Sequence, residues 1–318
     1  MSKYRHSLPL HRGGNFLTCG GMETTLIFHR GIELPHFASF VLLDSLEGRR
    51  VLQSYYEPYL AIAREYDVGF VLDSPTWRAN SDWGVKLGYN GDALRDINVA
   101  AIEFLEDIRR RWETSSMPCV INGAIGPRGD GYQASRMTAS DAEEYHSPQI
   151  SAFAETRADM VSAYTIVNIA EAIGIAQAAK ACELPCAISF TVETDGRLAG
   201  GSSLRDAIET TDRATQSYPE YYLINCAHPT HFDRMLVVDG GSWVGRIYGI
   251  RANASTRSHA ELDEAENLDS GDPDDLAMRY RLLQQTMPML HIFGGCCGTD
   301  DRHVEAIGMA CLPAKGPG

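Results

Sequence analysis

The sequence predicts an α/β protein whose eight parallel strands close into a (β/α)8 barrel, the TIM-barrel architecture, as a single domain over residues 1–318. Three observations carry this expectation. Short apolar runs ending in Gly, Asn, Asp or Pro alternate with longer segments of helical patterning, and such alternation implies a parallel sheet covered by helices. Eight repeats fit within 318 residues, as a closed barrel requires. An open doubly wound sheet would show a glycine-rich phosphate fingerprint where its first helix opens, and neither Gly13-Gly14 nor Gly20-Gly21 matches one.

The strands are expected at Asn15–Thr18, Val68–Leu72, Pro118–Ile121, Met160–Thr165, Cys186–Thr191, Tyr221–Ile224, Val244–Tyr248 and Met289–Phe293. Between them, Leu46–Tyr66 and Ala93–Trp112 place apolar and charged residues three to four apart, the helical repeat. Ala139–Ala154, Ile169–Cys182, Ser203–Thr215 and Pro273–Thr286 read the same way. Thr299, with Asp300 and Asp301 behind it, is a suitable cap for a last helix, Arg302–Cys311.

A composition of 44% hydrophobic and 22% charged residues is that of a folded soluble chain rather than a disordered one. Lys and Arg total 28 against 42 Asp and Glu, a formal net charge of −14, which argues against nucleic acid and anionic membranes as partners. No apolar run is long enough to span a bilayer. Met1–Arg12 is polar and basic with no apolar signal core after it, so a cytoplasmic location is expected. In that compartment the eight cysteines should be reduced thiols. A homo-oligomer is compatible with all of this.

Barrel enzymes place their active sites where strands end and the following loops begin. Three cysteines fall there: Cys226 after the sixth strand, and Cys296-Cys297 after the eighth. One strand separates the sixth from the eighth, so these ends are near neighbours. Adjacent side chains on a strand point to opposite faces, so Cys296 and Cys297 share a target only if the backbone turns. Gly294, Gly295 and Gly298 would supply that freedom. Three converging thiolates suit Zn2+, and three protein ligands leave a fourth position open to a substrate, the catalytic pattern. A thiol bound there would lose its proton. A vicinal Cys296–Cys297 disulfide, a pair of inert thiols, or a core role for Cys226 are the alternatives that spacing alone leaves open.

Gly294-Gly295-Cys296-Cys297-Gly298-Thr299, together with Asn225-Cys226, resembles the homocysteine S-methyltransferase family. Gly20-Gly21-Met22-Glu23-Thr24, Gly123-Ala124-Ile125-Gly126-Pro127, Tyr145-His146-Ser147-Pro148-Gln149 and Ile188-Ser189-Phe190-Thr191 extend the resemblance along nearly the whole chain. It implies a zinc-dependent (β/α)8 barrel with Cys226, Cys296 and Cys297 as the zinc ligands. The implied reaction moves a methyl group onto a small-molecule thiol, homocysteine giving methionine. A sulfonium donor of the S-methylmethionine or S-adenosylmethionine type, or a quaternary ammonium, would provide the methyl group.

The chain also departs from that family. Cys19 stands where the family has Asp before the two glycines, Tyr164-Thr165 where it ends the fourth strand with Glu-Thr, and Arg251–Ser255 where it has a Pro-Asn turn. An ammonium group leaving water wants a carboxylate partner, so a different thiol acceptor, or a zinc-binding barrel without turnover, are competing expectations. Gly21, Met22, Glu23, Asp73, Tyr164, Thr165 and Asn225 are the expected substrate-binding residues. Glu193 is a further carboxylate that could replace those lost. Arg78, Arg128 and Arg251 are expected in top loops, where each could bind a carboxylate or simply be solvated. Trp77, Trp83 and Tyr132 offer aromatic faces to a methyl donor or to lid packing. Cys19 is expected to be buried and non-ligating, with Cys119, Cys182, Cys186 and Cys311 in the core. His146 and His228 are expected to serve structure, as a hydrogen-bonder and a helix cap.

Overall fold

A computed structural model describes residues 2–133, 136–238 and 241–313. Eight strands form in the expected order: β1 (Phe16–Leu17), β2 (Gly69–Asp73), β3 (Cys119–Ile125), β4 (Met160–Ile166), β5 (Cys186–Phe190), β6 (Tyr221–Asn225), β7 (Ile247–Ala252) and β8 (Ile292–Gly295). Each pairs in parallel with the next, and β8 closes on β1 through Phe16 opposite Ile292 and Leu17 opposite Phe293. From β1 to β6 every strand residue is buried. Parallel strands covered on both faces read as near-continuous apolar runs, which is why they were legible.

The principal helix after each strand is α1 (Leu46–Tyr66), α2 (Gly91–Trp112), α3 (Ala139–Ala154), α4 (Ile169–Ala181), α5 (Leu204–Thr215), α6 (Asp233–Val238), α7 (Pro273–Thr286) and α8 (Asp301–Cys311). Side-chain caps start most of them. The Ser45 side chain accepts from the Gly48 amide before α1, and Thr138 and Asp141 form a capping box on α3. Asp300, rather than Thr299, caps α8, because its carboxylate accepts from the Arg302 amide. Among the described residues no helix is long and apolar enough to cross a membrane.

Two apolar clusters divide the core. Leu8, Leu10, Phe16, Val71, Val120, Met160, Ala187, Tyr221, Leu223 and Ile292 form the smaller, which fills the barrel interior. The larger packs strands against helices. The N-terminal segment therefore closes the bottom of the barrel. Arg5 donates to the Ala154, Thr156 and Ala158 carbonyls, and the Tyr4 amide donates to Asp159.

The seventh strand was expected at Val244–Tyr248, but Ser242–Arg246 forms a 3-10 turn and β7 runs on to Ala252. The shift has a consequence for the site: Arg251 lies in the strand beside Asn225 of β6 and Gly294 of β8, not in a loop.

Candidate active site at the barrel mouth

Cys226 directly follows β6, and Cys296-Cys297 follow β8. Their three sulfurs lie within 4.8 Å of one another, and among the described residues they form the cluster able to hold a metal ion. The Cys226 and Cys296 sulfurs form a disulfide, with the Cα atoms 5.4 Å apart, while Cys297 is a free thiol. The strand ends converge so closely that a bond can form across them, and the pairing is not the vicinal one. A disulfide has no thiolate to donate, so metal binding requires this pair in its reduced form. A tetrahedral site with metal–sulfur bonds of about 2.3 Å spaces its sulfurs about 3.8 Å apart. Three sulfurs already within 4.8 Å of one another fit that donor set.

The local backbone is under constraint where these residues sit. Cys226 has φ 52° and Thr165, at the end of β4, has φ 63°. Left-handed backbone is unusual for any residue with a side chain and more so for a β-branched one, and such strain clusters at functional sites. Asn225 holds both bends. Its Oδ1 accepts from the Thr165 amide and the Ser189 hydroxyl, and its Nδ2 donates to Thr165 Oγ1. The Thr165 hydroxyl in turn donates to the Cys226 sulfur at 3.8 Å. The glycines act differently from the expectation. Only Gly298, at φ 80°, needs a left-handed backbone. Gly295 is required by crowding, since a Cβ there would sit 2.0 Å from Thr299 Oγ1.

A cavity of about 310 Å³ opens over the three sulfurs. Gly21, Met22, Glu23, Asp73, Tyr164, Thr165 and Asn225, the expected substrate-binding residues, all line it. Arg251 and Cys19 line its floor as well, in a network that spacing did not reveal. Asp73 accepts from Thr18 Oγ1, Asn122 Nδ2, Tyr164 Oη and Arg251 Nη1, at 2.6 to 2.8 Å. The Arg251 guanidinium also lies over the Tyr164 ring, 4.8 Å from its centroid. Burial would lower the Arg251 pKa, and the adjacent Asp73 reverses that and raises it. Burial raises the Cys19 and Tyr164 pKa values, so both stay neutral. Burial likewise pushes the Cys297 thiol up to about 12. A thiol so raised needs a cation beside it to become a thiolate near neutral pH.

The other candidates divide. Glu23 is a half-buried carboxylate accepting from Ser39, and burial raises its pKa. Arg78 lies 4.0 Å from the Trp83 ring centroid and 5.0 Å from that of Trp77, so its own guanidinium occupies those faces. Arg128 is an exposed partner of Asp82, and Glu193 pairs with His259 outside the cavity lining. His146 bonds Glu171 at 3.0 Å in the core, and His228 caps a 3-10 turn, as expected; burial lowers the His228 pKa to about 4. Cys19 is buried and stands apart from the metal cluster; Cys119, Cys186 and Cys311 are buried too, with Cys182 partly so. Sequence reading missed His259. Its Nε2 donates to the Cys226 carbonyl at 2.5 Å, and its ring lies 4.1 Å from that of Tyr132.

Comparison with known proteins gives the family of the chain. The model of the homocysteine S-methyltransferase family matches residues 16–311. The chain is 24% identical to a selenocysteine Se-methyltransferase of Brassica oleracea var. italica, over 93% of this chain and 88% of that protein. It is also 24% identical to homocysteine S-methyltransferase 2 of Arabidopsis thaliana, over 93% and 92%. Its fold is similar to two crystal structures of the homocysteine methyltransferase MmuM from Escherichia coli. The oxidized form superposes with a TM-score of 0.73 at 18% identity, covering 93% of this chain and 95% of that one. The metallated form gives 0.73 at 17% identity, covering 94% and 98%. With a family match running from β1 to the end of α8, the chain belongs to the homocysteine S-methyltransferase family of methyltransferases.

Proposed function

We propose that the protein is a zinc-dependent S-methyltransferase that transfers a methyl group from a sulfonium or quaternary ammonium donor to a thiol, with homocysteine as acceptor and methionine as product. The observation that carries this reading is the gathering of Cys226, Cys296 and Cys297 at one point beneath a cavity of about 310 Å³. Zn2+ held by the three reduced cysteines would supply an open position at which a thiol gives up its proton. The chain's own residues do the rest. Asn225 and Thr165 fix the bends that aim Cys226, and the Thr165 hydroxyl hydrogen-bonds its sulfur. Tyr132, Trp77 and Phe37 wall the cavity and restrict water. In the transfer, the acceptor sulfur forms a new bond to the methyl carbon as the donor's bond to that carbon breaks. The electron pair returns to the donor heteroatom, which leaves neutral, and the thiol proton passes to water.

A second reading, the same chemistry on another thiol, is favoured by one observation. Asp73 already accepts from four donors, so it has no capacity left for a substrate ammonium. A panel of thiols assayed with S-methylmethionine separates the two, and exclusive turnover of homocysteine would dismiss the second. The metal is tested with Cys297→Ser. The reduced variant is expected to lose bound zinc, measured by elemental analysis, and at least ~100-fold of turnover. Full activity in that variant would refute the zinc reading.

A further inference from the structure

Cys226 comes to the cluster from β6, whereas Cys296 and Cys297 come from β8. How closely the three sulfurs gather therefore depends on how firmly the turn after β6 is held. That turn is left-handed at Cys226, with φ 52°. Such a backbone persists in a residue with a side chain only where its surroundings impose it. Both ends of the Cys226 residue are bonded from the β7 side. Its amide donates to the Arg251 carbonyl at 3.1 Å. Its carbonyl accepts from Asn253 Nδ2 at 3.1 Å and from His259 Nε2 at 2.5 Å.

Arg251 and Asn253 reach Cys226 from β7 and the residue just beyond it, so the pairing of neighbouring strands already accounts for them. His259 is different. It lies further along the chain, at the start of a one-turn helix, His259–Asp263, that a capping box of Ser258 and Glu261 begins. It is 7% exposed and joins four of the loops that follow the strands. Its own loop follows β7, and Nε2 meets the Cys226 carbonyl after β6. Nδ1 lies 3.3 Å from a Glu193 oxygen after β5, and the ring lies 4.1 Å from that of Tyr132 after β3. A polar ring is costly to bury unless its nitrogens are partnered, and an apolar side chain would fill the space without that cost. What the histidine adds is a donor directed at the backbone of one cysteine, on a ring that Glu193 and Tyr132 hold in place.

We propose that His259 is a positioning residue for the cysteine cluster: its bond to the Cys226 carbonyl fixes the left-handed turn that brings the Cys226 sulfur to Cys296 and Cys297. The affinity of the three sulfurs for metal then depends on a residue that touches none of them, a consequence that rests on the zinc reading above. Zinc affinity of the reduced protein is measured by chelator competition for the wild type and for His259→Phe, His259→Ala and His259→Gln. Phe keeps a ring beside Tyr132 without a donor, Ala removes both without adding bulk, and Gln restores an N–H donor without the ring. Phe and Ala are each expected to weaken zinc at least about tenfold, and Gln to stay within about threefold of the wild type. Wild-type affinity in either variant that lacks the donor would overturn the proposal, as would a Gln variant as weak as they are. A second measurement needs no metal. In the reduced, metal-free protein the Cys226 and Asn253 amides, which donate to the Arg251 and Ala227 carbonyls, are followed by hydrogen exchange. They are expected to exchange about tenfold faster in Phe and Ala, and at the wild-type rate in Gln. If the wild type binds no zinc, the zinc reading falls and exchange alone decides His259. Faster exchange that Gln restores sustains its positioning role, and equal rates in all four proteins end it.

Discussion

Asp73 and Arg251 show how much of the site depends on residues that no local motif connects. They lie 178 positions apart, and the side chains are 8% and 12% exposed. Removing one partner of a buried ion pair strands the other charge, whereas replacing both by neutral groups relieves it. Arg251→Met is therefore expected to cost about 3–5 kcal/mol of stability, and the double variant with Asp73→Asn to recover at least half of that. Urea denaturation checks it, and a double variant no more stable than Arg251→Met would refute the pairing. The cysteines were legible because glycines and adjacent thiols at a strand end are an unusual local string with a chemical use. The ion pair was not legible because Asp73 reads alone as a substrate-binding carboxylate and Arg251 as a loop charge, and only barrel closure brings β2 and β7 across the same floor. His259 was invisible for the same reason: a histidine in a polar loop carries no sign that it faces the Cys226 carbonyl.

At the level of elements, periodicity succeeded where both faces of a strand are covered and failed at β7, whose burial is interrupted at Tyr248 and Arg251. The apolar residues Trp243 and Val244 are buried, but in a 3-10 turn, so hydrophobicity alone misplaced the strand. The cap of α8 was legible to within one position, and it is also a source of pH sensitivity. Burial of Asp300 would raise its pKa, but hydrogen bonds from His303 and Arg302 outweigh burial and hold it well below the usual carboxylate range. A carboxyl depressed in the folded state contributes stability that is complete above its unfolded value, near 3.9, and is lost as pH falls below it. Asp300→Asn retains a side-chain cap without the charge. Its stability is expected to fall less steeply than the wild type's as pH drops below about 4, as followed by denaturant midpoints. Identical slopes would show that the Asp300 charge is not what links this helix to pH.

Over the whole molecule, the barrel separates what keeps it folded from what it does. The cysteine cluster, the Asp73–Arg251 floor and the cavity over them lie toward the carboxyl ends of the strands, the face on which barrel enzymes place their chemistry. The opposite end is closed by the N-terminal segment, whose residues 1–12 read in the sequence only as polar and basic. Its two leucines carry the structural role. Leu8 and Leu10 are 4% and 1% exposed and belong to the cluster that fills the barrel interior, and His291 Nε2 donates to the Leu10 carbonyl. Truncating a fully buried leucine removes its transfer free energy and leaves a void, so Leu10→Ala is expected to cost about 2–5 kcal/mol. The void would open within the cluster that Leu10 shares with Phe16, Val71 and Ile292, at the end of the barrel away from the site. The variant is accordingly expected to unfold at lower urea while its KM for the acceptor thiol stays within about twofold of the wild type, because a change at the bottom face affects stability before function. A KM that rose in step with the loss of stability would show instead that the bottom plug and the catalytic mouth are mechanically coupled through the barrel.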